Sequence, residues 1–152
     1  MRLTRAGEYA VRCMLYLASL GTGELAMRKE IARTMEIPEQ FLGKIAQQLS
    51  RAGFIDIVQG AKGGYRLVVP PQKLTLLDVV EAVVGEIFLN DCVMRPAACN
   101  RSNACAVHQV WEKARSQLRA TLKEATFAGL LRDSCQAEAL IHADSAGNLN
   151  LC

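Results

Sequence analysis

The chain reads as mostly α with a small β-hairpin: a winged helix-turn-helix followed by a long helix suited to pairing with a second copy. Three observations lead there. Residues 3–52 carry three stretches of helical apolar periodicity separated by glycine or proline. Two short alternating runs, 54–58 and 65–69, flank a glycine-rich tip. Residues 104–126 then repeat apolar side chains at alternating steps of four and three.

The first helix covers residues 3–20, with Ala10, Val11, Met14, Leu15 and Ala18 on its apolar face, and Gly21 and Gly23 end it. Arg28–Met35 makes a short second helix with Ile31, Ala32 and Met35 inward. Ile37-Pro38 is a turn, and Pro38 suits the first position of a third helix running to Ala52. That helix buries Phe41, Leu42, Ile45 and Leu49. Its other side, Gln40, Gly43, Lys44, Gln47 and Arg51, is a continuous polar stripe. The hairpin turns at 59–64, and Pro70 and Pro71 close the unit.

Thr75 opens a fourth helix, with Asp78 three residues on as a capping-box variant. Residues 86–104 read as a loop. In the long helix Val107, Trp111, Ala114, Leu118, Thr121 and Ala125 form a heptad seam. A chain this small cannot bury the seam internally, so a homodimer is expected. A short helix, 127–132, and an Ala-, Ser- and Asn-rich flexible tail finish the chain. The expected division is 1–71 for the winged head, 72–133 for the fourth helix, cysteine loop and dimerisation helix, and 134–152 for the tail.

About half of the 152 residues are apolar, yet no run approaches the roughly 18 residues of a membrane span. No secretory segment precedes the first helix, so a cytoplasmic protein without membrane attachment is expected. No Ser/His/Asp set, phosphate-binding loop or paired carboxylates stand in a catalytic frame, which argues against an enzyme. Residues 1–66 hold ten Lys/Arg against six Asp/Glu, whereas 67–152 hold eight against nine. The head is the basic half. Gln40, Lys44 and Gln47 have the reach to read base edges of double-stranded DNA. Arg2, Arg5, Arg28, Lys29 and Arg51 are candidate phosphate contacts, and Gln59 and Lys62 lie on the slim wing tip. A polar stripe on one helix is ordinarily a solvated face. Here the order of elements and the basic tip favour DNA.

Cys92, Cys99 and Cys105 fall within fourteen residues, spaced C-x6-C-x5-C, with His108 three residues beyond the last. Three thiolates and an imidazole are a full donor set for one centre. An iron–sulphur cluster, a reversible disulfide and a structural zinc all fit, in that order. Zinc ligands usually pair at closer spacing, whereas a cluster is a larger object to surround. Cys13 lies beside a buried stripe and reads as core; Cys135 and Cys152 receive no role. An electron carrier would need no wing, and salt-dependent DNA binding separates it from a regulator.

The opening MRLTRAGEYAVRCMLYLA, the wing GAKGGYRL and the cysteine run followed by AVHQVW resemble the iron–sulphur winged-helix transcription regulators of the IscR and NsrR type, over residues 1–133. The resemblance implies a dimer with crossed long helices and two winged heads. It also implies control of genes for cluster assembly, nitric oxide defence or iron homeostasis. Cys92, Cys99 and Cys105 match the cluster thiolates and His108 the fourth ligand of the IscR branch, where the cluster is [2Fe–2S]. Glu8 matches the carboxylate that completes a [4Fe–4S] cluster from the opposite subunit in the NsrR branch. The chain departs from the pattern in two places. The first cysteine gap is one residue longer than usual. Gln59 stands where arginine is frequent, with Lys62 as the substitute. A metal-free thiol regulator and a nitric-oxide-sensing repressor are the alternatives.

Overall fold

The computed structural model describes residues 4–95, 97, 99–101 and 104–142, with side chains to Cys135. Its elements follow the order α1 (Arg5–Leu20), β1 (Leu25–Ala26), α2 (Arg28–Thr34), α3 (Glu39–Arg51), β2 (Ile55–Val58), β3 (Gly64–Leu67), α4 (Leu76–Val84), α5 (Asp91–Met94), α6 (Ala106–Glu124) and α7 (Phe127–His142). The mostly helical winged fold expected from the sequence is present.

Local chemistry fixes the helix starts. The Thr4 hydroxyl accepts from Gly7 N at the head of α1. Thr75 and Asp78 form a complete capping box on α4, each side chain accepting from the other's backbone N–H. Pro38 stands one position earlier than expected, as the N-cap of α3.

The hairpin gains a partner that the sequence pattern does not reveal. β1 pairs with β3, Leu25 opposite Arg66 and Ala26 opposite Tyr65, giving the antiparallel order β1-β3-β2. Two residues are too few to show alternation. The wing glycines explain how the strands meet. A Cβ on Gly64 would sit 2.0 Å from the Ala26 carbonyl oxygen, and one on Gly63 would sit 2.2 Å from that of Val58.

Four other expectations change. Phe41 is 44% exposed; the buried stripe of α3 is Leu42, Ile45, Ala46 and Leu49. Phe41 lies at the edge of that stripe and meets the Tyr9 ring instead, at 6.0 Å between centroids. The expected loop 86–104 contains the single-turn helix α5. The terminal helix does not stop at Arg132: α7 runs to His142, into the segment expected to be a flexible tail, and 143–152 lie outside the described residues. Finally, residue 71 is no break in the core. Leu74, Val79, Val83 and Phe127 share one buried cluster with Met14, Leu17, Ile31, Ile45, Leu49 and Leu67 of the head. Phe127 is fully buried, which contributes roughly 1.5–3 kcal/mol. Backbone bonds from Leu76 N to Ala125 O (2.8 Å) and from Phe127 N to Leu74 O (2.9 Å) bring the end of α6 back to the start of α4.

Candidate nucleic-acid interface and metal centre

The outward face of α3 presents Gln40, Lys44, Gln47 and Arg51, all exposed. Gly43 lies among them, beneath a side chain from α2. The Arg28 guanidinium lies over it, 3.6 Å from where a Cβ would stand, and donates to the Glu39 carbonyl at 2.6 Å. Arg28 therefore braces the first turn of α3 while remaining 45% exposed. Arg5 and Lys29 are exposed at the starts of α1 and α2, and Gln59 and Lys62 are exposed on the wing. Arg2 lies outside the described residues. One candidate was missed. Arg12 pairs with Glu8, lies 5.9 Å from the Tyr9 ring centre and reaches the Met35 carbonyl at 3.4 Å, tying α1 to the end of α2. Glu8, the alternative fourth ligand, is exposed on α1 and engaged by that arginine.

Cys13 is fully buried, and burial pushes its thiol up to about 12. It packs in the same buried cluster as Ala10, Met14 and Leu17, which makes Cys13 a core residue. Cys92 on α5, Cys99 in the following loop and Cys105 at the N-cap of α6 are half-buried. His108 stands on the first turn of α6, three residues after Cys105 and on the same side. Its Nδ1 is cut off from solvent and has no hydrogen-bond partner among the described residues. Among the described residues no three of the His, Cys, Asp and Glu side chains converge on a single metal position. The donors occupy one segment without closing on a centre.

The expected heptad seam divides. Leu118 packs with Leu122 against Leu77, Val80 and Ile87 of its own chain. Ala125 caps α6 and joins the return to α4. Ala114 is half-buried and Thr121 exposed. At the other end Val107 is 58%, Val110 64% and Trp111 38% exposed, with Met94 and Phe88 also exposed nearby in sequence. The apolar surface left over is thus the N-terminal half of α6.

Comparison with known proteins gives this arrangement its family. The model of the Rrf2 family, described as an iron-dependent transcriptional regulator, matches residues 3–133. The chain belongs to the Rrf2 family. Rrf2 regulators bind DNA, typically as dimers, and are transcription regulators rather than enzymes. A protein of Rhizobium meliloti (strain 1021) named aau3 is 34% identical to this Rrf2 chain, over 93% of this chain and 92% of its own length. CymR of Staphylococcus aureus, solved in its oxidised form, is 28% identical, with a TM-score of 0.69 over 86% of this chain and 95% of that one. IscR of T. potens shares the fold, with a TM-score of 0.71 at 24% identity over 97% of this chain and 94% of that one. No helix among the described residues of this Rrf2 chain is long and apolar enough to cross a membrane.

Proposed function

We propose that this Rrf2 regulator senses iron–sulphur cluster status, and through it iron, redox state or nitric oxide, with Cys92, Cys99, Cys105 and His108 as ligands of a [2Fe–2S] cluster. Control of cluster-assembly genes is the corresponding role in the cell. The observation that carries this reading is the solvent-excluded Nδ1 of His108, which has no hydrogen-bond partner among the described residues. A buried polar atom without a partner costs about 1–3 kcal/mol, and metal ligation would remove that cost. The three thiols of the same segment, Cys92, Cys99 and Cys105, would supply the remaining soft donors, and histidine can replace thiolate in such centres. When bound, the cluster supplies a redox- and nitric-oxide-sensitive group. The chain's own part is to hold it between α5 and α6 and to transmit its presence to α3. Regulation then equals the difference in DNA affinity between the two states.

The fourth ligand is tested on protein purified without oxygen. His108→Ala is expected to change the Mössbauer and visible spectra, while Glu8→Ala leaves both as in the wild type. The reverse outcome assigns the position to Glu8 and favours [4Fe–4S].

DNA reading is assigned to α3 and the wing, with the exposed apolar half of α6 as the dimer contact. Lys44→Ala is expected to lower affinity by about 1–3 kcal/mol and to relax base preference, whereas Arg51→Ala lowers affinity for all sequences and flattens the salt dependence. Fluorescence anisotropy on duplexes selected from a random-sequence library measures both. Equal losses on specific and random duplexes for Lys44→Ala would remove it from the reading set.

A second reading, a metal-free thiol regulator, draws support from two facts. The donors do not converge among the described residues, and the 28% identical CymR has an oxidised form. Iron-free protein whose DNA affinity changes on oxidation of Cys92, Cys99 or Cys105 would favour it.

A further inference from the structure

The strap between α4 and α5 is held more firmly than a connector requires. Ile87 is buried, its N–H donates to Glu81 Oε1 at 2.9 Å, and its carbonyl accepts from Arg115 Nε at 2.8 Å. Arg119 pairs with Glu81, and Arg115 pairs with Glu86 and Glu112. Three residues further, Asn90 caps α5, its carbonyl accepting from Val93 N at 3.0 Å and Met94 N at 3.2 Å. The Asn90 side chain faces α6. With the amide turned so that its oxygen faces the indole, the orientation in which both ends find complementary partners, its nitrogen donates to the Leu89 carbonyl at 3.0 Å and its oxygen accepts the indole N–H of Trp111 at 2.9 Å.

We propose that Trp111 is a positioning residue for the cysteine segment. Through Asn90 it fixes where α5, and with it Cys92, stands relative to Cys105 and His108 on α6. The proposal rests on the cluster reading of that site. The four donors divide between elements: Cys92 stands on α5, Cys99 in the loop that follows, and Cys105 and His108 at the start of α6. Trp111 is three residues beyond His108 on α6, and one residue separates Asn90 from Cys92. That hydrogen bond therefore links the two helices that carry three of the four donors. An indole has a single donor and a rigid ring, so the bond has a defined direction. The strap also begins where Gln48 Nε2 of α3 donates to the Val83 carbonyl at 3.2 Å, so a shift of α5 has a short packed route to the reading helix.

The test uses the full chain, purified without oxygen, as wild type, Trp111→Phe, Asn90→Ala and the double variant. Phenylalanine keeps an aromatic ring and removes the donor. In iron-free protein, amide exchange at Val93 and Met94 is expected to quicken roughly tenfold in either single variant, as loss of one hydrogen bond of ordinary strength would give, while Val80 in α4 is unchanged. The double variant should add nothing to Asn90→Ala, because that change already removes the bond that Trp111→Phe removes. In cluster-loaded protein the variants should lose iron to a chelator several-fold faster than the wild type. Exchange and iron loss both equal to the wild type would make Trp111 a packing residue only and overturn the proposal. Additive effects in the double variant would also overturn it. A wild-type chain that takes up no cluster would remove the cluster reading, while the exchange measurements still decide whether Trp111 positions α5.

Discussion

Cys92→Ala is expected to abolish visible absorbance in anaerobically purified protein and to shift operator affinity by about tenfold. Cys92 is the only candidate ligand on α5, whereas Cys105 and His108 both belong to the start of α6. Removing it detaches α5 from the shared centre rather than thinning out one of several contacts on the same element. A centre with one thiolate fewer does not hold iron with native affinity, since ligand number and type set the site. Coupling energies between a sensor and its readout typically amount to 1–3 kcal/mol, which brackets a tenfold change. Cys13→Ala is the matched control. It removes a thiol that is fully buried in the head and held protonated by that burial, and should leave the spectrum as it was. Iron content, absorbance and anisotropy titrations check the pair. Equal spectra for Cys92→Ala and the wild type would take Cys92 out of the ligand set.

Gly64→Ala should lower stability by about 3 kcal/mol, the upper end of over-packing costs. The reason lies in the close approach of β1. The new methyl carbon would stand 2.0 Å from the Ala26 carbonyl oxygen and 2.7 Å from its carbon, and both are backbone atoms that cannot rotate aside. Relief requires β1 to leave β3, which exposes Ala26 and the sheet edge. For a chain of this size the loss corresponds to a fall in Tm of roughly 6–12 °C. Gly43→Ala makes the contrast. Its Cβ would meet only the Arg28 guanidinium at 3.6 Å, ordinary contact with a flexible side chain, so a helix-interior alanine there should be neutral or slightly stabilising. Thermal unfolding followed by circular dichroism distinguishes the two. Equal melting temperatures for Gly64→Ala and the wild type would mean that β1 is not seated on the wing.

The head was legible because its signals are local. Apolar spacing located α1 to α4, and Thr75 with Asp78 announced the start of α4. What escaped depends on contacts distant in sequence. β1 is a strand only because β3 receives it. The seam on α6 read as one continuous stripe, yet Leu118 is covered by Leu77 and Val80 of the same chain. A heptad pattern does not say which helix answers it. Phe41 is apolar but one position off the buried stripe, and Tyr9 determines its place. Asn90 and Asp91 read as loop residues, although Asn before a short helical turn is also the signal of an N-cap. The donor types and spacing of the cysteine segment stood in the sequence. The isolation of His108 Nδ1 did not, because burial of a single nitrogen depends on how α6 packs.

The most direct measurement is a pair of DNA-binding isotherms across salt concentration. They use one batch of protein prepared without oxygen, before and after its iron and sulphide are removed and quantified. The account predicts a coloured protein with inorganic sulphide, and a change in operator affinity on removal that exceeds any change on random duplex. Colourless, iron-free protein from such a preparation that binds its selected duplex with full strength, unaffected by added iron and sulphide, would contradict it.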